Sequence, residues 1–303
     1  MPAGMLPNLV RGYPGASARR WWLLGLRRWL RETGTNVFHG TNFEVPYLGS
    51  TPSVMTIHDL SPWRNPKWHM SAHRVRSRTP WLVRLGCARM IVTVSEAVRR
   101  DLIGHFGVRP DRVRAVPLAA SEVFEPVEDK GPPPRRPFFL FVGTLEPRKN
   151  LPGLIEAWKE TRAETGADLV ISGRYRTRYP PLAPMDGLRY IGEAGDLDLP
   201  HFLAHALALV YPSHYEGFGL PVLEAMQCGC PVITSKDPAI TEVSGGAALH
   251  TGSASELAEA LRKVAKSPEL REKMRLDGLA RAKCFSWART AQATRAIYAE
   301  AAG

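Results

Sequence analysis

Residues 206–229 constrain the fold of this chain more than any other stretch. Ala206–Tyr211 is a short apolar run that reads as a buried strand. The string His214-Tyr215-Glu216-Gly217-Phe218-Gly219-Leu220-Pro221-Val222-Leu223-Glu224 comes soon after it. Its two glycines permit a tight turn, and its proline suits the first turn of a helix. Val222–Met226 favours that helix, and Gly229 is placed to end it. Strand, glycine turn and helix N-terminus together make a unit that presents backbone N–H groups and a positive dipole end to an anion.

Glu216 falls in the turn and Glu224 in the first turns of the helix. Helical side chains lean toward the N-terminus, so Glu224 points back at whatever the turn holds. Two carboxylates beside an anion site repel a bare phosphate. They suit a phosphate flanked by hydroxyl-rich groups, as in a nucleotide sugar with ribose on one side and a hexose on the other. A capped loop with two solvated acids explains a lone Glu pair, but not the whole string with its strand and helix.

The same alternation runs through the chain. Strand candidates are Thr35–His39, Ser53–Ile57, Arg89–Val94 and Arg112–Val116, then Phe138–Val142, Ala167–Ser172, Leu188–Ile191, Ala206–Tyr211 and Pro231–Thr234. Val- and Ile-rich strands separated by helices predict an α/β fold with doubly wound parallel sheets. A length of 303 residues favours two domains, and 44% hydrophobic content supports ordinary cores. The stretch Pro126–Pro137, with three consecutive prolines, reads as the linker. It leaves an N-terminal domain over residues 1–125 and a C-terminal domain over residues 138–285. Ser286 is the expected N-cap of a last helix over residues 286–303.

Lys and Arg number 40 against 29 Asp and Glu, a formal charge of +11, which points to anionic partners without choosing among them. No RNA-reading aromatic motif or helix-turn-helix is evident, so nucleic acid is not the expected partner. Cys87, Cys228, Cys230 and Cys284 lack zinc-ligand spacing, so free thiols in a reducing cytosol are expected and no metal site. No secretory signal and no apolar run of spanning length is seen, which predicts a cytoplasmic protein.

A second anion site is expected after the strand Phe138–Val142, at Gly143-Thr144-Leu145-Glu146-Pro147-Arg148-Lys149-Asn150, with Asn150 as helix N-cap. Ligands of doubly wound sheets bind at the carboxyl ends of strands, so this turn and the glutamate turn share one edge. Arg148 offers a planar fork and Lys149 a compact charge to phosphate. Gly173 and Arg174 follow another strand at that edge, as do Tyr190-Ile191-Gly192-Glu193.

These strings resemble the retaining, nucleotide-sugar-dependent glycosyltransferases of family 4, in their mannosyltransferase-like branch. The resemblance covers nearly all of residues 20–300. It implies two Rossmann-like domains of the GT-B type, with the terminal helix crossing back to the first domain. It gives Glu216 the donor sugar's hydroxyls and Glu224 the ribose. Gly217, Phe218, Gly219 and Leu220 supply backbone contacts, and Gly143, Thr144, Arg148 and Lys149 the phosphate loop, where many members carry Arg in place of Thr144. It brings His58, in Thr56-Ile57-His58-Asp59, to the reacting carbon. His39 and Asp59 are weaker candidates on the acceptor or sugar side.

Family members begin with a further βαβ unit that Met1–Ala18 does not resemble, so the N-terminal domain is expected to be shortened, with activity impaired, or the gap to be repaired by rearrangement or dimerisation. Arg19–Arg31 is a basic, Trp-rich helix that either packs on the sheet or makes peripheral contact with the inner face of the membrane.

The expected reaction moves a hexose, mannose first, from a nucleotide diphosphate sugar to a hydroxyl of a saccharide or lipid-linked acceptor in surface polysaccharide synthesis. Cations and helix dipoles stabilise the departing phosphate, so neither metal nor cofactor is expected. The alternatives are a non-catalytic nucleotide-sugar-binding protein and a sugar-nucleotide epimerase or phosphorylase on the same fold.

Overall fold

The computed structural model describes residues 25–47, 49–69, 72–128, 134–176 and 179–303. Two parallel sheets organise them. The first runs β1 (Phe38–Gly40), β2 (Ser53–Ile57), β3 (Met90–Thr93) and β4 (Val113–Ala115) in the order β1-β2-β3-β4. Its helices are α1 (Leu26–Glu32), α2 (Ser61–Arg64), α3 (His73–Arg84) and α4 (Glu96–Phe106). All five residues of β2 are buried, as expected of a strand covered on both faces.

The second sheet has the order β10-β9-β8-β5-β6-β7, every pair parallel. Its strands are β5 (Phe138–Val142), β6 (Asp168–Ser172), β7 (Leu188–Tyr190), β8 (Ala208–Tyr211), β9 (Val232–Ser235) and β10 (Leu249–Thr251). The helices between and after them are α5 (Leu151–Thr165), α6 (Leu199–His205), α7 (Leu220–Gln227), α8 (Pro238–Ser244), α9 (Ala254–Lys266), α10 (Pro268–Ala282) and α11 (Trp287–Ala302).

Strand periodicity sorts the core. Phe139, Phe141, Ile171 and Val210 face α5 and α9, whereas Leu140, Val170, Leu209 and Tyr211 face α7 and α8. Burial of Phe139 and Phe141, both at 0% exposure, contributes about 1.5–3 kcal/mol each. The strand order reverses between β5 and β8, and a ligand crevice opens outside the carboxyl ends of strands at such a switch point.

α11 packs Ile297 and Ala301 against Val54, Met90 and Val92 of the first sheet, and Ser286 Oγ caps it by accepting from the Arg289 amide at 3.3 Å. Thr290 Oγ1 donates to the Pro117 carbonyl at 2.7 Å, fixing the same crossing. Of the Arg19–Arg31 segment, residues 25–31 are described. There Leu26 and Leu30 are buried and Arg27, Arg28 and Arg31 exposed, an amphipathic helix with its apolar side inward. Met1–Ala18, where the first βαβ unit was sought, lies outside the described residues. Among them, no helix is long and apolar enough to cross a membrane.

Two local expectations fail. β10 was not foreseen, because three residues that include His and Thr make no apolar run; pairing with the edge of β9 creates it. Asn150 precedes α5 but its side chain caps nothing; it sits in the left-handed region at φ 54 instead.

Candidate active site

The turns after β5 and β8 flank the switch point and meet through a buried ionic cluster. Glu216 Oε1 accepts from Lys149 Nζ at 2.7 Å, and Glu216 Oε2 from Arg148 Nη1 at 2.7 Å. Arg148 turns its other edge to Glu146 Oε1, with Nη2 at 2.7 Å and Nε at 3.1 Å. Arg176, from the segment after β6, donates to Glu146 Oε2, and Lys149 donates to the Tyr211 hydroxyl. Three cations against two carboxylates leave one positive charge.

Burial alone pushes the Glu216 carboxyl up, but Lys149 and Arg148 outweigh it and hold it below the usual range. Glu146 behaves alike: burial raises it, and Arg148 and Arg176 bring it down. Burial lowers Lys149, with Glu216 opposing; the 2.7 Å contact to an ionised carboxylate keeps it an ammonium. Such a cluster is stable only while its members stay paired, and its spare positive charge suits an incoming anion.

Glycines bring the backbones together. A Cβ on Gly217 would lie 2.0 Å from the His58 carbonyl oxygen, and one on Gly173 would lie 1.9 Å from that of Gly143. Gly219, at φ 99, opens α7 from the left-handed region, with Leu220 its first residue. Phe218 is buried and meets Phe285 edge-on at 5.9 Å, so its side chain anchors the turn. Across the junction, Ser95 Oγ donates to the Gly217 carbonyl at 2.7 Å, and Glu242 accepts from the Glu96 and Ala97 amides at 2.8 and 2.9 Å. That carboxylate caps α4 from the other domain.

The remaining candidates divide. His58 joins the site: its backbone abuts Gly217, and Nε2 of its half-buried ring lies 2.8 Å from the Thr41 carbonyl. Glu224 lies on α7 apart from the cluster; burial, then Asp196, raise its carboxyl to about 7. Thr144 is half-buried and Arg174 exposed, while Arg176, two residues on, reaches the cluster. Arg148 is locked between two carboxylates, so it positions Glu216, while Lys149 brings its side chain beside Gly143.

Asp59 and His39 turn away. Asp59 Oδ1 accepts from the Ser61 amide and hydroxyl at 2.8 and 2.5 Å, starting α2. His39 contacts the Tyr298 hydroxyl through Nδ1 at 2.6 Å and Thr56 Oγ1 through Nε2 at 2.7 Å, so it joins α11 to β2. Sequence reasoning missed Glu146, Tyr211 and Arg176 as cluster members. The signal for Glu146 was its place inside the basic turn itself. Among the described residues, no group of three or more His, Cys, Asp or Glu could hold a metal ion.

Two parallel-sheet α/β domains, with a buried ionic cluster at the switch point of the second, define a two-domain glycosyltransferase of the GT-B type. The chain belongs to the glycosyl transferases group 1, whose pattern matches residues 124–279, and residues 6–122 match glycosyltransferase family 4. It is 34% identical to O-antigen chain mannosyltransferase B of Escherichia coli, over 93% of this chain and 77% of that protein. It is 31% identical to the MMP alpha-(1->4)-mannosyltransferase of Mycolicibacterium hassiacum, over 70% of this chain and 54% of that one. Among solved structures, sucrose-phosphate synthase from Thermosynechococcus elongatus shares the fold at TM-score 0.75 and 19% identity, over 91% of this chain and 76% of that one. HepE of Anabaena, solved with UDP and glucose, does so at TM-score 0.72 and 17% identity, over 90% and 81%.

Proposed function

We propose that this enzyme transfers a mannosyl residue from a nucleotide diphosphate sugar to a hydroxyl of a saccharide acceptor, with retention at the anomeric carbon. The reading rests above all on Glu216, held 2.7 Å from both Lys149 and Arg148 at the switch point and facing a turn that abuts His58. In this scheme the donor diphosphate takes up the cluster's spare positive charge, chiefly through Lys149 and the amides at the start of α7. Glu216 then exchanges a cation for the donor sugar's hydroxyls, and Glu224 accepts from the ribose. In this scheme His58 turns its Nε2–H away from the Thr41 carbonyl and donates it near the transferring oxygen. The departing diphosphate is stabilised by groups already fixed in place, which costs no reorganisation at the moment of transfer.

The mannosyltransferase relatives support mannose, and the O-antigen enzyme supports a growing surface polysaccharide as acceptor. GDP-mannose is therefore the first donor to test. The experiment is a donor panel with GDP-mannose, UDP-glucose and their free diphosphates, read by calorimetry and then by turnover on mannose-terminated oligosaccharides, with the anomeric configuration of the product read by NMR. GDP-mannose turnover with an α-linked product is expected. Binding without turnover or hydrolysis would make the chain a non-catalytic nucleotide-sugar-binding protein. Altered sugar nucleotide without acceptor would make it an epimerase or phosphorylase.

A further inference from the structure

Seven cations and no acid stand between Asp59 and Glu96, more than half of the chain's surplus of 11 positive charges. The helix in the middle of this stretch, α3 (His73–Arg84), carries four arginines and no Asp or Glu.

The two sides of α3 differ. Leu82 and Val83, at 0% and 1% exposure, are buried in one cluster with Met55, Ile57 and Ile91, which seats the helix on one face of the first sheet. With about 100° of turn per residue, His73, Arg74, Ser77, Trp81, Arg84 and Leu85 fall within an arc of about 120° on the other side, and all six are exposed. Trp81 is 60% exposed and Leu85 68%. Apolar residues scattered singly over a surface are ordinary, but these two are neighbours one turn apart, with Arg84 on the same stripe.

The arginines of α3 are unequally occupied. Arg78 is drawn inward by Glu44 at 3.0 Å and lies over the Tyr47 ring. Arg74 and Arg84 make no ion pair with the described residues. In residues 25–31, by contrast, Leu26 and Leu30 turn inward, so α3 rather than α1 holds apolar side chains out beside unpaired charge.

A second copy of the chain is a poor cover for this stripe. A two-fold contact presses the stripe on itself and sets Arg74 and Arg84 against their own mates. Nucleic acid answers the arginines but gives Leu85 no apolar phase. An anionic bilayer answers both: headgroup phosphates take the guanidinium groups, the indole sits at headgroup level, and Leu85 enters the acyl boundary.

We propose that the outer stripe of α3 docks this protein on a membrane surface rich in anionic phospholipid. α3 carries the chain from the carboxyl end of β2 back to the amino end of β3. Docking therefore lays the flank of the first domain on the bilayer and leaves the edge that holds His58 open.

The test is flotation of the full chain with vesicles of phosphatidylglycerol and phosphatidylcholine, and with vesicles of phosphatidylcholine alone, at low and at high salt. The variants are Arg74→Gln with Arg84→Gln, and Trp81→Ser with Leu85→Ser. Lys283→Gln with Arg295→Gln is the control. It removes the same charge from exposed sites just before and on α11, which covers the opposite face of the first sheet. All the substituted side chains are exposed, and circular dichroism melts check that each variant folds. Wild type is expected to bind the mixed vesicles about tenfold or more above phosphatidylcholine alone, and less at high salt. At about fivefold per cation, the arginine variant should bind roughly 25-fold more weakly. The serine variant should lose about tenfold and the control no more than about threefold. Absent binding, equal binding to both vesicle types, a serine variant bound as tightly as wild type, or a control that loses as much as the arginine variant overturns the proposal. So does a wild type that stays off the vesicles and forms a dimer that the serine variant dissolves, which would make the stripe a contact between copies.

Discussion

Replacing Glu216 by Gln separates two roles of one side chain. In the unliganded enzyme the carboxylate neutralises Lys149 and Arg148, and so competes with the donor's phosphates for them. A phosphate seated beside Lys149 would lie roughly 5 Å from that carboxylate, where two unit charges repel by about 3 kcal/mol at an effective dielectric of 20. Screening and rearrangement reduce this to about 1–2 kcal/mol, or roughly tenfold in affinity. Free nucleoside diphosphate should therefore bind about tenfold more tightly to Glu216→Gln than to the wild type. Turnover should move the other way, falling by about 10²–10³, because the sugar loses its charged acceptor. Removing one partner from a buried ion pair costs about 3–5 kcal/mol. Here Arg148 keeps Glu146 and Lys149 keeps Tyr211, so about 3 kcal/mol is expected, with Tm lower by roughly 6–10 °C. GDP titrations by calorimetry, circular dichroism melts and initial rates measure all three. GDP binding that is equal or weaker in a folded Glu216→Gln protein would show that phosphate does not compete with this carboxylate, and the assignment of the cluster to the donor would fall.

Glu224 binds its proton more tightly in the folded protein, at about 7, than its ordinary value of 4.5. The folded state thus holds more protons between those values, and stability falls as pH rises through that window. The full cost, at most about 3 kcal/mol, is present above pH 7 and absent below about 4.5. Glu224→Gln should melt several degrees higher than wild type at pH 8 and level with it near pH 4.5; parallel melting curves at both pH values rule against this if they shift equally. Gly217→Ala forces its turn away from the His58 carbonyl, which would otherwise lie 2.0 Å from the new carbon. A loss of about 1–3 kcal/mol in urea titrations and of about 10–100-fold in transfer is expected. Tyr298→Phe removes the hydroxyl 2.6 Å from His39 and should cost about 1–2 kcal/mol, with transfer within twofold of wild type. A larger rate loss at unchanged stability would return His39 to the reacting centre.

Much of this architecture was written locally. Nine of the strands, the strand-turn-helix units and the glycines at 143, 173, 217 and 219 follow from short-range pattern, because a strand buried on both faces must be apolar, a side chain at 173 or 217 would strike a carbonyl oxygen within 2.0 Å, and 143 and 219 hold positive φ. The family's motif also marked Glu216 and Lys149 as partners of one site. Pattern alone could not say which polar residues pair. Arg148 and Glu216 are 68 residues apart in sequence, and His39 and Tyr298 are 259 apart. Burial decided those matches, since each buried charge must find a counter-charge wherever the fold supplies one. So Glu146 and Arg176 entered the cluster unannounced, Arg148 became its brace, and His39 and Asp59 were spent on holding helices in place. The sequence set where backbones turn and where a ligand edge lies. Only the packing of distant segments fixed which charges remained for a substrate.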